Sequence, residues 1–149
     1  MKASERQVGG SHYRTKLGGV GHWDYCIETN VPYLEGCASK YLTRWRDKNG
    51  LQDLEKACHY IERRLEAFHS FKGVLRGANK NKPLFERFIS DNGIPNEEAE
   101  IVNCIMHWKR PDQLIAALSA IQMIISKETK TEEDQFQREI AWSKSQEGC

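Results

Sequence analysis

An all-α fold follows from three features of the sequence. Apolar residues recur at three- and four-residue spacing through most of its 149 residues. Turn and breaker residues fall between those stretches, and no run alternates branched and polar residues as a half-buried strand requires. The expected architecture is a compact helical bundle of about six or seven helices behind a glycine-rich, irregular N-terminus. It reads as one helical domain over residues 1–149, since this length buries one real core but hardly two.

Taken in order, residues 1–21 hold Gly9-Gly10 and Gly18-Gly19 and read as loop. A short helix is expected from His22 to about Asn30. A second runs from Leu34 to about Asp47, with Leu34, Ala38, Tyr41, Leu42 and Trp45 on one face. Asn49-Gly50 turns the chain into a third, from Leu51 to about Phe71, striped by Leu54, Ala57, Cys58, Ile61, Leu65 and Phe68. Gly73, Gly77, Asn79, Asn81 and Pro83 mark a polar linker. Three more helices are expected at Leu84–Asp91, Asn96–Trp108 and Pro111–Lys127. The last is apolar nearly all round, which places it at the centre of the core or in a subunit interface. A charged C-terminal tail, 128–149, carries Phe136 and Ile140 at i, i+4 and reads as a docking helix.

A weak internal repeat supports this order. Asp24–Asn30 resembles Glu86–Asn92, Glu35–Trp45 resembles Glu98–Trp108, and the stretch from Asp53 resembles that from Gln113, at offsets of 62, 63 and 60 residues. The copies differ in polarity. Lys40, Arg44, Asp53, Lys56 and Tyr60 correspond to Asn103, His107, Gln113, Ala116 and Ala120. The stretch 84–127 thus reads as scaffold, and chemistry, if present, belongs to the first copy.

Composition narrows the function. Twenty-two basic residues against 21 acidic ones leave a formal charge of +1. Such a balance supplies no global field for nucleic acid, so an anion site must be local. No apolar run spans a bilayer, and MKASERQVGG lacks the core of a signal peptide. The reading is a soluble, cytoplasmic protein with no membrane partner. Five cysteines without a CxxC pair suit buried, reduced thiols better than disulfides. A zinc site from His22/Cys26, Cys58/His59 or Cys104/His107 is the weaker reading, so no metal ligands are assigned.

The candidate chemistry is concentrated between Leu34 and Glu62. Lys40 and Arg44 lie one turn apart on a helix, and Asp53, Lys56 and Tyr60 share a face of the next. Antiparallel packing lines these rows along one groove. The cations then suit phosphate oxygens, and a carboxylate suits a proton or a hydroxyl. A solvated face of salt bridges is the plainer account of the same spacing. Gly9, Gly10 and Ser11 are placed to aim backbone N–H groups at an anion, with His12 and Tyr13 supplying rings. Glu35 opens its helix as a dipole-favoured cap or as a base. GxxxxGK[ST] is absent, as are GxGxxG, HExxH and GxSxG. Glu97, Glu98 and Glu100 are similar to the acidic helix of all-α nucleotide pyrophosphatases but lack a second acidic pair.

Taken as an ordered set, QVGGSHY at Gln7–Tyr13, WDY at Trp23–Tyr25, LEG at Leu34–Gly36, KYLTRWRDKNG at Lys40–Gly50 and DLEKACHYIE at Asp53–Glu62 resemble a small phage-encoded family. That family, long known only as a domain of unknown function, includes a nucleotide kinase without a P-loop. The match covers residues 7–66. It implies phosphoryl transfer from a nucleoside triphosphate donor to a deoxynucleoside monophosphate, in the host cytoplasm. Magnesium is compatible with this but required by no motif. The positions matching its motifs are Gly9, Gly10, His12, Tyr13, Glu35, Gly36, Lys40, Tyr41, Arg44, Lys48, Gly50, Asp53, Leu54, Lys56, Ala57 and Tyr60. Cys37 stands where the family has asparagine, and Gly18–His22 replaces its hydrophobic-Gln-Pro approach; both departures bear on substrate choice. The resemblance implies phosphate binding by Lys40, Arg44, Lys48 and Lys56. With it goes an acceptor oriented or deprotonated by Asp53 or Glu35, closure over the nucleotide by His12 and Tyr13, and Tyr60 as a further nucleotide contact. Nucleotides are the expected ligands and a second copy of the chain the expected partner. A non-catalytic nucleotide-binding protein and an all-α metal-dependent pyrophosphatase are the alternatives.

Overall fold

The structure, a computed structural model, describes residues 19–70 and 76–148, together with Ala3. The chain forms α1 (His22–Thr29), α2 (Tyr33–Arg44), a 3₁₀ turn (Trp45–Asp47), α3 (Leu51–Ser70), α4 (Lys82–Asp91), α5 (Asn96–His107) and α6 (Pro111–Glu147). No strand occurs among the described residues, and no helix among them is long and apolar enough to cross a membrane. The all-α expectation holds.

The repeat is visible in how the helices pair. α2 packs on α3 as α5 packs on α6, while α2 meets α5, α3 meets α6 and α1 meets α4. Exchanging the two halves leaves this scheme unchanged, as an internal two-fold requires. Buried positions obey the same exchange: Glu35, Ala38, Ser39, Leu42 and Trp45 correspond to Glu98, Ile101, Val102, Ile105 and Trp108, all buried. Leu54, Ala57 and Ile61 match Leu114, Ala117 and Ile121 in the same way.

The first helix corrects the sequence alignment by one residue. Tyr25 corresponds to Phe88, not Arg87, because the helix ends match only at that offset. Asn30 takes a left-handed φ of 54° where Gly93 takes 61°. Val31 then donates to Cys26 O at 3.1 Å as Ile94 donates to Ile89 O at 3.1 Å. Pro32 and Pro95 follow as N-caps of α2 and α5. Tyr25 and Phe88 stack on each other, centroids 5.6 Å apart, which is where equivalent residues at a two-fold meet. The halves therefore run without insertion through Trp45 and Trp108. Three extra residues then enter the first half as the 3₁₀ turn before α3.

Two boundaries differ from the sequence reading. Pro83 is not linker but lies in the first turn of α4, where its missing N–H costs nothing; Asn81 caps that turn by accepting from Leu84 N at 3.2 Å. The charged tail is no separate element. It continues α6 without a break to Glu147, since no Gly or Pro occurs between Asp112 and Glu147 and the first glycine, Gly148, caps the helix. Gly73 lies outside the described residues, but the described end of the linker is held down: Gly77 N donates to Trp108 O at 2.8 Å, and a Cβ there would meet Met106 O at 2.6 Å. α6 is central along one face only, through Leu114, Ala117 and Ile121; Ile115 and Met123 stay exposed.

Candidate functional site

Packing α2 against α3 gathers three cations on one ring. Arg44 Cζ lies 4.6 Å from the Tyr41 centroid, Lys40 Nζ 4.7 Å and Lys56 Nζ 5.1 Å. Tyr60, one turn beyond Lys56, stacks on Tyr41 with centroids 5.8 Å apart and planes 11° from parallel. Each cation gains about 0.5–1 kcal/mol from the ring face. Mutual repulsion opposes that gain, since like charges held roughly 8 Å apart cost about 2 kcal/mol near a protein surface. One carboxylate offsets part of it: Asp53 Oδ2 lies 3.5 Å from Arg44 Nε. The cluster therefore keeps a local positive excess on a chain that is nearly neutral overall, which is a setting for an anion.

Asp53 is wholly buried. Its Oδ2 also accepts from Asn49 N at 3.4 Å, closing the turn into α3. Gln113 does the same for α6, accepting from Lys109 N at 2.7 Å and Arg110 N at 3.1 Å. The equivalence marks Asp53 first as a helix-start residue. It keeps one further resource, for Oδ1 is buried without a hydrogen-bond partner. Lys48 is exposed in the same turn, one residue before Asn49.

Glu35 lies elsewhere. It sits about half a helical circumference from Arg44 on α2 and is buried, engaged by Arg64 of α3 through Nε and by Nη2 at 3.3 Å. Burial pushes its pKa up, while Arg64 and the nearby Trp108 indole pull it down. Glu98, its counterpart, is held by Trp45 Nε1 at 3.3 Å and Arg46 at 2.7–2.8 Å. Each half thus sends a tryptophan toward the other half's buried glutamate, although Trp108 Nε1 lacks a hydrogen-bond partner. The structure does not bring Glu35 to the cations. It also divides the acidic trio, turning Glu98 inward while Glu97 and Glu100 stay on the surface.

Gly9, Gly10, Ser11, His12 and Tyr13 lie outside the described residues, as do Gly18 and Cys149. Of the remaining expected residues, Lys40, Arg44, Lys56, Tyr60 and Asp53 come together. Compared with family models, curated proteins and solved structures, the chain matches none.

One member of the cluster, Tyr33, escapes the sequence reading, and two others take roles that spacing did not assign. Tyr41, which helical spacing assigns to the apolar stripe, is the platform for the cations. Tyr33 and Cys37 extend it. Cys37 neighbours the Tyr33 and Tyr60 hydroxyls, and both phenols are pushed above their ordinary range. Contact with Cys37 is the main cause for exposed Tyr33, and burial is for Tyr60. The signal available was Tyr33, Cys37 and Tyr41 at i, i+4, i+8, one edge of a helix.

Thiols elsewhere behave as core groups. Burial pushes Cys26 up to about 12 and Cys58 up to about 11. His22 spends Nε2 on Ser39 Oγ at 2.8 Å and lies 3.7 Å from Cys26. Among the described residues no group of three His, Cys, Asp or Glu is arranged to hold a metal ion.

Proposed function

We propose that the protein binds a nucleotide by its phosphates at Lys40, Arg44 and Lys56 and acts as a nucleoside monophosphate kinase of the phage type. The observation that carries this reading is the convergence of three cations from two helices on the Tyr41 ring. Phosphoryl transfer asks little covalent chemistry of a protein beyond positioning and charge at the transferring group. The guanidinium offers two parallel donors to a phosphate and the lysines offer point charges. Tyr60 and Tyr41 present a stacked wall beside them for a base or ribose. Asp53, buried behind Arg44, is the carboxylate that would act on an acceptor by holding that guanidinium in position.

A second reading, a nucleotide-binding protein without catalysis, is favoured by one observation. Both candidate carboxylates are buried and engaged by arginines, Glu35 by Arg64 and Asp53 by Arg44, so binding needs only the cations. The test is incubation with each deoxynucleoside monophosphate and a triphosphate donor, with products resolved by chromatography. Diphosphate formation supports the kinase, whereas bound but unchanged nucleotide favours the second reading. If Lys40→Ala and Lys56→Ala leave nucleotide affinity untouched, both readings fail, since neither lysine is buried and the fold tolerates their loss.

A further inference from the structure

The two halves provide an internal control for their outer surfaces. Residues 53–66 of α3 include seven charged side chains, as expected of a helix facing water; the equivalent stretch of α6, 113–126, includes none. Equivalent helices in equivalent positions should carry equivalent surfaces if both were solvated. Ile115 is nevertheless 53% exposed and Met123 73%. α6 also has 37 residues against 20 in α3, so from about residue 131 it overhangs the bundle by about 25 Å. The overhang bears Phe136 at 59% exposure and Trp142 at 67%. Being one unbroken helix it cannot fold back on its own bundle, and a lone helix of that length is marginal in water.

One row along α6 links these two features. Ile115, Ser119, Gln122, Ser126, Thr129, Glu133, Phe136 and Ile140 fall on a single seam spaced alternately by four and three residues. Its apolar members sit at the two ends and its polar members in the middle, where the one charged member, Glu133, falls opposite Gln122 when the seam is paired with itself in reverse. Antiparallel pairing with an identical helix is the arrangement that matches such a seam to itself. Ile115 then meets Ile140, small Ser119 faces large Phe136, and Ser126 lies next to the two-fold axis. The same register sets Lys127 opposite Glu128 twice, by symmetry. We infer that α6 is the homodimer interface, the overhang of each copy covering the uncharged outer face of the other in antiparallel register. The segment 127–147 has six acids against four bases, a balance that disfavours an anionic membrane or a nucleic acid as its cover.

Sedimentation velocity on the full chain tests this directly. The expected species has twice the 17.2 kDa chain mass, and Phe136→Glu with Ile140→Glu should return it to a single chain mass while the near-ultraviolet signal of the core persists. Orientation is read by disulfide trapping in a Cys149→Ser background. Ile115→Cys with Ile140→Cys should lock the dimer covalently, and Ile115→Cys alone should not. A monomeric wild type, a dimer indifferent to the glutamates, or covalent dimer from Ile115→Cys alone would each overturn the inference.

Discussion

The two halves share one backbone plan and part company in what they place on it. Where the first half carries Lys40, Tyr41, Arg44, Lys56 and Tyr60, the second carries Asn103, Cys104, His107, Ala116 and Ala120. Arg44 remains at the cation cluster, whereas His107 turns inward to meet the Tyr25 hydroxyl at 2.6 Å and Asn103 Oδ1 at 3.0 Å. A three-helix unit can thus be spent on a charged surface or on packing, and its partner half makes each choice tolerable. The difference teaches that the fold does not require the cations. The second half holds the same helices without them, so their gathering in the first half is not demanded by the helix plan and is consistent with the proposed ligand.

The largest expected asymmetry lies in the buried glutamates. Arg64 is 11% exposed and Arg46 52%. Arg64→Met strands the Glu35 charge and should cost about 3–5 kcal/mol in urea unfolding. Arg46→Met should cost less, about 1–2 kcal/mol, because removing the half-exposed Arg46 head opens buried Glu98 to water and Trp45 Nε1 still donates to it. Equal losses would mean that the two pairs are energetically the same despite their exposure.

Next comes ligand affinity. Lys40→Ala with Lys56→Ala should weaken nucleotide binding by about 100-fold in calorimetry, near 3 kcal/mol for two charge-assisted contacts. Ala116→Lys in the other half should change affinity little. Circular dichroism should be unaltered in each variant.

Acid should then separate the native state from the unfolded one through one histidine per half. Burial, aided by Lys40, lowers His22 to about 4, and burial, aided by Lys80, lowers His107 to about 4. Both are neutral when folded and bind protons more readily when unfolded. Their stabilisation is therefore full above pH 6.5, the ordinary histidine value, and is lost as pH falls from there toward 4. Each should contribute on the order of 2 kcal/mol. His107→Gln should flatten half of that decline in a urea midpoint series between pH 7 and 4.5.

The smallest contrast is at the matched left-handed turns. Gly93→Asn should cost only about 0.5 kcal/mol, since its counterpart Asn30 already adopts that conformation. Gly93→Val should cost about 1–2 kcal/mol. A thermal melt resolves the two.

Much of this was legible in the residues. Helix spacing located all six helices, and the duplicated Glu–Trp pattern exposed the repeat before any coordinates. Rotation about the helix axes was not legible. Lys40, Arg44 and Lys56 fall on faces that spacing alone can align, so their meeting was foreseeable. Arg64 as the partner of Glu35 was not, being 29 residues away on a stripe that reads as solvated. Tyr41 packs against the core as its place on the apolar stripe implies; its second role beneath the cations was not legible from spacing, because an aromatic at the margin of such a stripe serves core and surface equally well. Residues 128–135 hid the continuity of α6, for all eight of their side chains are polar and mask the helical period until Phe136.

The crossed tryptophan–glutamate contacts carry a consequence for how the molecule comes apart. Trp45 reaches into the second half and Trp108 into the first, so neither three-helix unit has a finished interior of its own. Melting one must open the other. Hydrogen exchange in α2, α3 and α5 should therefore converge on a single opening free energy, and a fragment ending in the connector between α3 and α4 should stay unfolded until its complement is added.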